Sequence, residues 1–266
     1  MARAVKRPSL PALRVPKMPH LPKSNEPDVF EEMTLQEHLE ELRVRIVRSC
    51  FAIGAAFIIG FFLSDNLLRL IRDKAQVDGG LDIISPTEPI VLTFKIALYL
   101  AIGMSAPVLV WQLFGFLAPG LTGREKRFVL MSLPFVSILF VAGAAFSFFF
   151  AAPRAFDFLS NWNSDIFEWS PQGNEIVNFY LQLMIGMGLA FQLPIVMFVL
   201  SALNIVSPQR MTGFRKYAAM AIMVVAAIIT PTPDPFNMFF VAIPIFVLWE
   251  VGLILARVAS RRRATV

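Results

Sequence analysis

The sequence holds little of what most enzymes use for chemistry: among 266 residues there are one cysteine and two histidines, and only 16% of residues are charged. The single cysteine, Cys50, excludes an internal disulfide and a thiolate metal cluster. With both histidines, His20 and His38, near the N-terminus, neither a Ser/His/Asp triad nor a histidine-rich metal site can be assembled. No GxxxxGK[ST] loop occurs, which removes a P-loop ATPase. We therefore expect no enzymatic activity, no cofactor and no metal.

What the chain has in abundance is apolar surface: it is 56% hydrophobic with 26 phenylalanines, and its mean hydropathy of +0.65 is that of an integral membrane protein. Crossing a hydrocarbon core of roughly 30 Å by helix takes about 20 residues. Six helical spans are expected, at 47–64, 89–114, 128–152, 176–203, 217–230 and 236–256. The fifth would reach only about 21 Å and would need local bilayer thinning or shelter behind its neighbours. Pro107, Pro134, Pro194 and Pro244 fall inside spans, where they remove backbone donors and bend helices. The expected fold is thus an all-α membrane protein of six spans, several of them Pro-kinked, forming a concave, glove-like scaffold with caps on the outer side.

Lys and Arg near span ends stay on the cytoplasmic side. On one side fall Arg43, Arg45 and Arg48, then Arg124, Lys126 and Arg127, then Arg210, Arg215 and Lys216, then Arg257 and residues 261–263. The other side has Arg69, Arg72, Lys74 and Arg154, outnumbered by acids such as Asp73, Asp82, Glu88, Asp157 and Glu175. Both termini are expected in the cytoplasm and the protein in the cytoplasmic membrane. The pI near 9.7 follows from that topology without a nucleic-acid partner. Residues 1–33, rich in proline and basic residues, read as a disordered tail tethered to anionic lipid. Residues 34–257 form the membrane domain and 258–266 a basic tail, with the first span retained as an anchor.

Two charged segments stand out. In TLQEHLEELRVRIVR, 34–48, Thr34 and Glu37 form a capping box. Leu35, His38, Leu39, Leu42 and Ile46 recur at helical spacing as an apolar stripe for the membrane surface or a neighbouring helix, with Glu37, Glu41, Arg45 and Arg48 opposite. Glu41 either pairs with Arg45 at i+4, worth about 0.2–0.5 kcal/mol, or is free to recognise a ligand. In FLAPGLTGREKR, 116–127, Pro119 and the glycines make a turn, and Glu125 is the only acid in a cytoplasmic loop between spans. Thr122 and Glu125 also fit a capping box, but capping gives no reason for a bulky aromatic at Phe116.

These segments, together with SAPVLVWQ at 105–112, AFQLPIV at 190–196 and ITPTPDPFN at 229–237, resemble the TatC family over about residues 35–257 with collinear spacing. TatC is the multispanning receptor of the twin-arginine translocase. The resemblance implies signal-peptide recognition at Glu41, Arg43, Phe116, Pro119 and Glu125, with Arg43 positioning one of the two acids. It implies small single-span partners of the TatA and TatB type, transport driven by the proton motive force, and self-association within a larger complex. Pro107 and Asp234 match recurrent family positions. Gln192 stands where the family often carries a carboxylate facing a concave cavity, and is a candidate for partner docking or transport. Paired arginines offer planar guanidinium forks that carboxylates accept in charge-assisted bonds.

Polar residues inside spans are costly in lipid and need an explanation. Lys95 is expected to snorkel outward or pair with Glu88, and Glu250 to reach the cytoplasmic interface. A competing class is an ion-coupled secondary transporter using Lys95, Gln192 and Glu250, against which stand the lack of an internal repeat and of paired broken helices. An intramembrane enzyme is disfavoured by the missing nucleophile and metal ligands.

Overall fold

The computed structural model describes residues 35–75, 81–117, 123–162, 165–166, 172–230 and 234–264, with side chains at all of these except 35, 117, 123–132 and 261–264. Pro119 and the 1–33 tail lie outside the described residues, as does the side chain of Glu125. The described residues are almost entirely helical. In order they form α1 (Leu35–Lys74), α2 (Glu88–Leu117), α3 (Gly123–Phe146), a π-helical turn (Ser147–Ala151), α4 (Ala152–Asn161), α5 (Gly173–Ala190), α6 (Leu193–Ala202), α7 (Pro208–Gly213), α8 (Arg215–Ile229) and α9 (Pro235–Ala264).

Among the described residues, five stretches are long and apolar enough to cross a membrane: Gln36–Lys74, Glu88–Phe116, Leu133–Asn161, Gly173–Ala202 and Pro235–Ser260. Their outward faces carry Phe51, Ile58, Phe62, Ile90, Ile138, Val141, Ile243 and Ile254, all exposed. So much contiguous apolar surface is untenable in water and natural against lipid tails. The chain is an integral membrane protein. The short fifth span expected at 217–230 exists as α8, whose 15 residues rise about 22 Å and so fall below a spanning length on their own.

Helix α1 is a single element of 40 residues, about 60 Å long. It joins the charged segment to the first span and continues to Lys74 where the sequence suggested an end at 64. Its partner is α2, and the two approach closely at Gly60, where a Cβ would come within 2.7 Å of the Ala97 carbonyl. A buried core of Ile96, Tyr180, Leu183, Met187 and Ile245 ties α2, α5 and α9 together, while α6 lies along α9, held by Ser201 Oγ donating to the Ala256 carbonyl at 2.9 Å.

The internal prolines act unequally. Helices α2, α3 and α9 run without interruption through Pro107, Pro134 and Pro244. Only Pro194 coincides with a break: the helix stops at Ala190, turns at Phe191 and Gln192, and restarts as α6 with Pro194 in its first turn. The third long helix carries a different irregularity, the π-helical turn, which brings Ser147 and Phe148 into the core beside Tyr180.

At the end of the bundle where α2 and α5 begin, Glu88 does much of the tying. Its Oε2 accepts from the Ile84 and Ser85 amides at 3.0 and 3.4 Å, and its Oε1 accepts from the Asn174 amide at 3.1 Å. Lys95 therefore does not pair with Glu88. Its ammonium donates to Asn178 Oδ1 at 2.8 Å and Asn174 Oδ1 at 3.3 Å on α5. A cation in a span held by two amides is less costly than one left in lipid, and it locks α2 to α5.

Candidate functional site

The site is built where the N-terminal end of α1 meets the C-terminal end of α2. Glu37 sits in the first turn of α1, where the helix dipole favours an acid. The face that α1 turns towards the protein is rotated from its apolar stripe, keeping His38 and Leu42 and adding Glu41 and Arg45. Leu39 and Ile46 are exposed, at 64% and 53%, whereas His38, Glu41, Leu42, Arg45 and Ser49 are half-buried. Lipid is as apolar as leucine, so nothing drives Leu39 and Ile46 inward, while small and polar residues gain by packing and hydrogen bonding against a neighbour.

Glu41 and Arg45 form the centre of this face, each with its side chain only 20% exposed. Arg45 Nε donates to Glu41 Oε1 at 3.0 Å, and Nη2 donates to the same oxygen. The other carboxylate oxygen, Oε2, is buried and accepts no hydrogen bond among the described residues. Glu41 is thus half used among the described residues, with the acceptor capacity of its second oxygen still to be met.

Arg45 is held as well by α2. Its guanidinium lies against Gly115, where a Cβ would fall 2.0 Å from Nη1 and 2.7 Å from Cζ. Only the missing side chain lets the guanidinium reach the backbone there. Helix α2 has no basic residue in its own last turn, so Arg45 supplies from the neighbouring helix the cation that a C-terminal dipole favours. Beside it, the His38 and Phe116 rings stack at a centroid distance of 4.2 Å and an interplanar angle of 20°. This makes an aromatic step next to the carboxylate.

The other candidate residues fall in several places. Arg43 faces away from Glu41 and pairs with Glu40 at 3.5 Å, both side chains largely exposed; the arginine that positions Glu41 is Arg45. Glu125 lies in the first turn of α3. Gln192 sits in the α5–α6 break, where its Nε2 donates to the Val136 carbonyl on α3 at 3.1 Å and to the Gly188 carbonyl at 3.4 Å, and its Oε1 is buried without a donor. Asp234 is at the far end of the molecule, where its Oδ1 accepts from the Asn237 amide at 2.8 Å and its Oδ2 from Asn237 Nδ2 at 2.9 Å. With Pro235 as the first helical residue, that is an N-cap for α9. Pro107 is midway along α2. Glu250 meets Arg215 across α8 and α9 at 2.5 Å in an exposed pair.

Sequence reasoning missed His38, Arg45 and Gly115 as members of the site. The signal was there: His38, Glu41, Arg45, Ser49, Ala52 and Ala56 form a polar and small stripe at helical spacing, which in lipid marks the packed face.

A family description, Sec-independent protein translocase protein (TatC), matches residues 37–244. The Sec-independent protein translocase protein TatC of Carboxydothermus hydrogenoformans is 37% identical over 226 residues, covering 85% of this chain and 93% of that protein. TatCy of Bacillus subtilis is 33% identical over 233 residues, covering 87% and 91%. Among solved structures, a crystal structure of the twin-arginine translocase receptor TatC superposes with a TM-score of 0.74 at 30% identity, covering 84% of this chain and 100% of that one.

Proposed function

The chain belongs to the TatC family of Sec-independent protein translocase proteins, and on that premise we propose that it is the signal-peptide receptor and core scaffold of a twin-arginine translocase. It binds the paired arginines of signal peptides at the cytoplasmic face, assembles with single-span partners of the TatA and TatB type, and exports folded proteins using the proton motive force.

The observation that carries this reading is the half-used Glu41 carboxylate. Arg45 occupies Oε1, while Oε2 is buried and lacks a donor among the described residues. A substrate guanidinium satisfies that oxygen and keeps a second N–H pair for another acceptor, and Glu125, in the first turn of α3, is the acid we assign to the second arginine. The His38–Phe116 stack gives the signal peptide a flat apolar step beside the charge, with a cation–π contribution of about 0.5–1 kcal/mol. Pro119, between Phe116 and Glu125 in the sequence, is assigned to the same peptide-binding set. Arg43, exposed on the rim of the same helix, meets the peptide's flanking residues. Entry of a guanidinium requires the Arg45 side chain to shift, which its flexible stem and its lodging on a glycine permit.

Around that site, both termini and the basic loops face the cytoplasm and the protein resides in the cytoplasmic membrane. Helix α8 serves as a sixth, short span, sheltered between α5 and α9, and the six helices form a concave, glove-like wall. Residues 34–257 are the working domain, with 1–33 and 258–266 as basic tails at the lipid surface. Gln192, Pro107 and Asp234 mark surfaces for the single-span partners and for other copies of the chain.

Purified protein in lipid vesicles tests the proposal. It should capture a twin-arginine signal peptide from the cytoplasmic side and bind a twin-lysine peptide at least tenfold more weakly, because an ammonium cannot make the fork. Equal capture of the two peptides, or ion-coupled uptake of a small solute in place of capture, would overturn it.

A further inference from the structure

At the end of the molecule away from Glu41, a cavity of about 480 Å³ opens between α4 and the start of α9, lined by Arg154, Asp157, Phe158, Trp162, Phe236 and Phe240. Its floor is the Phe158–Phe236 stack, with ring centroids 3.8 Å apart. Its depth relative to the membrane follows from α9. From Pro235 to Arg257 that helix rises about 33 Å, close to the hydrocarbon thickness of about 30 Å, so with Arg257 at one surface Phe236 and Phe240 lie at the other. Trp162, 64% exposed, is the residue type that anchors at such an interface.

The two charges in the cavity are spaced at i and i+3, where an ion pair is available, and they do not form one. Arg154 turns back along α4, its guanidinium 5.6 Å from the centre of the Phe150 ring. Asp157 turns forward, accepting from Asn161 Nδ2 at 3.1 Å. No carboxylate among the described residues pairs with Arg154. The cavity therefore presents a cation nearer the membrane, an anion farther out and aromatic walls between. Both charges also lie on the exposed face of a strongly amphipathic helix whose other face buries Ala152, Ala155 and Phe156.

We propose that this cavity binds the headgroup of an outer-leaflet phospholipid carrying a primary ammonium, the phosphate on Arg154 and the ammonium on Asp157, with Phe236 and Phe240 against the glycerol and upper acyl chain. The order of charges matches: a phosphate sits next to the acyl chains and the ammonium is borne beyond it. An anionic headgroup without an ammonium would meet Arg154 and be repelled by Asp157, so the site selects as well as binds. The lipid would cement the outer ends of α4 and α9, which few direct contacts hold. The inference rests on the orientation proposed above, which puts this end of the bundle at the outer leaflet, and not on signal-peptide binding.

The test is native mass spectrometry of the full-length chain from nanodiscs holding equal amounts of phosphatidylethanolamine and phosphatidylglycerol with identical acyl chains. Wild type should retain phosphatidylethanolamine about threefold over phosphatidylglycerol, the scale of an exposed ion pair. Arg154→Gln should lower retention of both lipids, and Asp157→Asn should abolish the preference by lowering phosphatidylethanolamine retention and raising that of phosphatidylglycerol. Arg154→Lys, which keeps the charge, should behave like wild type. The proposal fails if wild type shows no preference, or if Asp157→Asn keeps it. It fails too if Arg154→Gln retains lipid unchanged, the result expected were the occupant a peptide or a second copy of the chain. Both positions are on the exposed side of α4, so an unchanged thermal melt in detergent should accompany each of the three variants.

Discussion

The most decisive perturbation is Glu41→Gln, which keeps the shape of the side chain and removes its charge. In the unliganded protein the substitution costs little. The Glu41–Arg45 pair is one turn apart on a single helix and partly screened, and Arg45 keeps its second hold on the C-terminal end of α2, where a helix dipole is worth about 0.3–1 kcal/mol to a cation. Unfolding stability should therefore fall by less than about 1 kcal/mol. Binding is another matter, because the buried Oε2 is the acceptor that a substrate guanidinium would satisfy. A hydrogen bond to a charged group contributes about 1.5–3 kcal/mol, which at 1.4 kcal/mol per decade corresponds to about 10- to 150-fold in Kd. Screening at the membrane surface favours the lower half of that range. The assay is fluorescence anisotropy of a labelled twin-arginine peptide on the purified chain in nanodiscs, run beside a twin-lysine peptide. Glu41→Gln should weaken the arginine peptide by about 10- to 50-fold and the lysine peptide by less than about fivefold, since only the first loses a fork contact. If both peptides weaken by the same factor, or neither changes, Glu41 is a structural partner of Arg45 and nothing more.

Three further substitutions probe the scaffold. Gly186→Ala puts a Cβ 2.4 Å from Ile229 Cγ2 and 2.7 Å from Cγ1, so it should cost about 1–3 kcal/mol in thermal unfolding, with Ile229→Ala in the same chain recovering much of the loss; an additive double mutant would show that α5 and α8 do not meet there. Asn178→Ala removes the 2.8 Å acceptor of Lys95 and should lower stability by about 1 kcal/mol, while Lys95→Met in that background should restore it; no restoration would mean that Lys95 finds another partner. Gln192→Glu turns the donor that meets the Val136 carbonyl at 3.1 Å into an acceptor, and should destabilise by about 1–3 kcal/mol more than Gln192→Leu; equal melts for the two would show that this hydrogen bond is not holding α3 to the α5–α6 break.

Much of the architecture was legible because membrane insertion writes itself into composition. Long apolar runs mark the spans, and the helices at 89–114, 176–203 and 236–256 fall within α2, α5–α6 and α9. The lower limit on spanning length explains the remaining difference, since α8 occurs where expected and is simply short. Helix continuity was harder to read. Four prolines looked equivalent in the sequence, yet only Pro194 breaks its helix, because there the turn is supported from outside by Gln192 reaching the Val136 carbonyl. Asp234 shows the same limit from the other side: its match to a recurrent family position gave no sign of its local geometry, which caps α9.

The apolar stripe of α1 divides between two surroundings, Leu39 and Ile46 outward and His38 and Leu42 against the protein, and the division bears on function. In water, Leu39 and Ile46 would define the buried stripe and Glu41 would be a solvated acid whose pairing with Arg45 hardly mattered. Against lipid Leu39 and Ile46 gain nothing by turning inward, and Glu41 and Arg45 turn to α2 beside His38 and Leu42. On the proposed reading, that placement is what gives Glu41 its value as an acceptor. A carboxylate in open water already has its lone pairs filled and gains little from a passing guanidinium. One tucked between helices, with a single oxygen held by Arg45 and the other without a donor among the described residues, would gain more from the guanidinium that the proposed function brings to it. Arg45 meanwhile holds off lone cations by keeping the net charge of the site near zero, so that capture demands a ligand with donor geometry rather than charge alone. Replacing Arg45 by Gln should therefore leave twin-arginine binding within about threefold of wild type and raise twin-lysine binding, narrowing the preference between the two peptides. A preference that stays as wide as in wild type would place discrimination elsewhere, with Glu125 as the remaining acid to test.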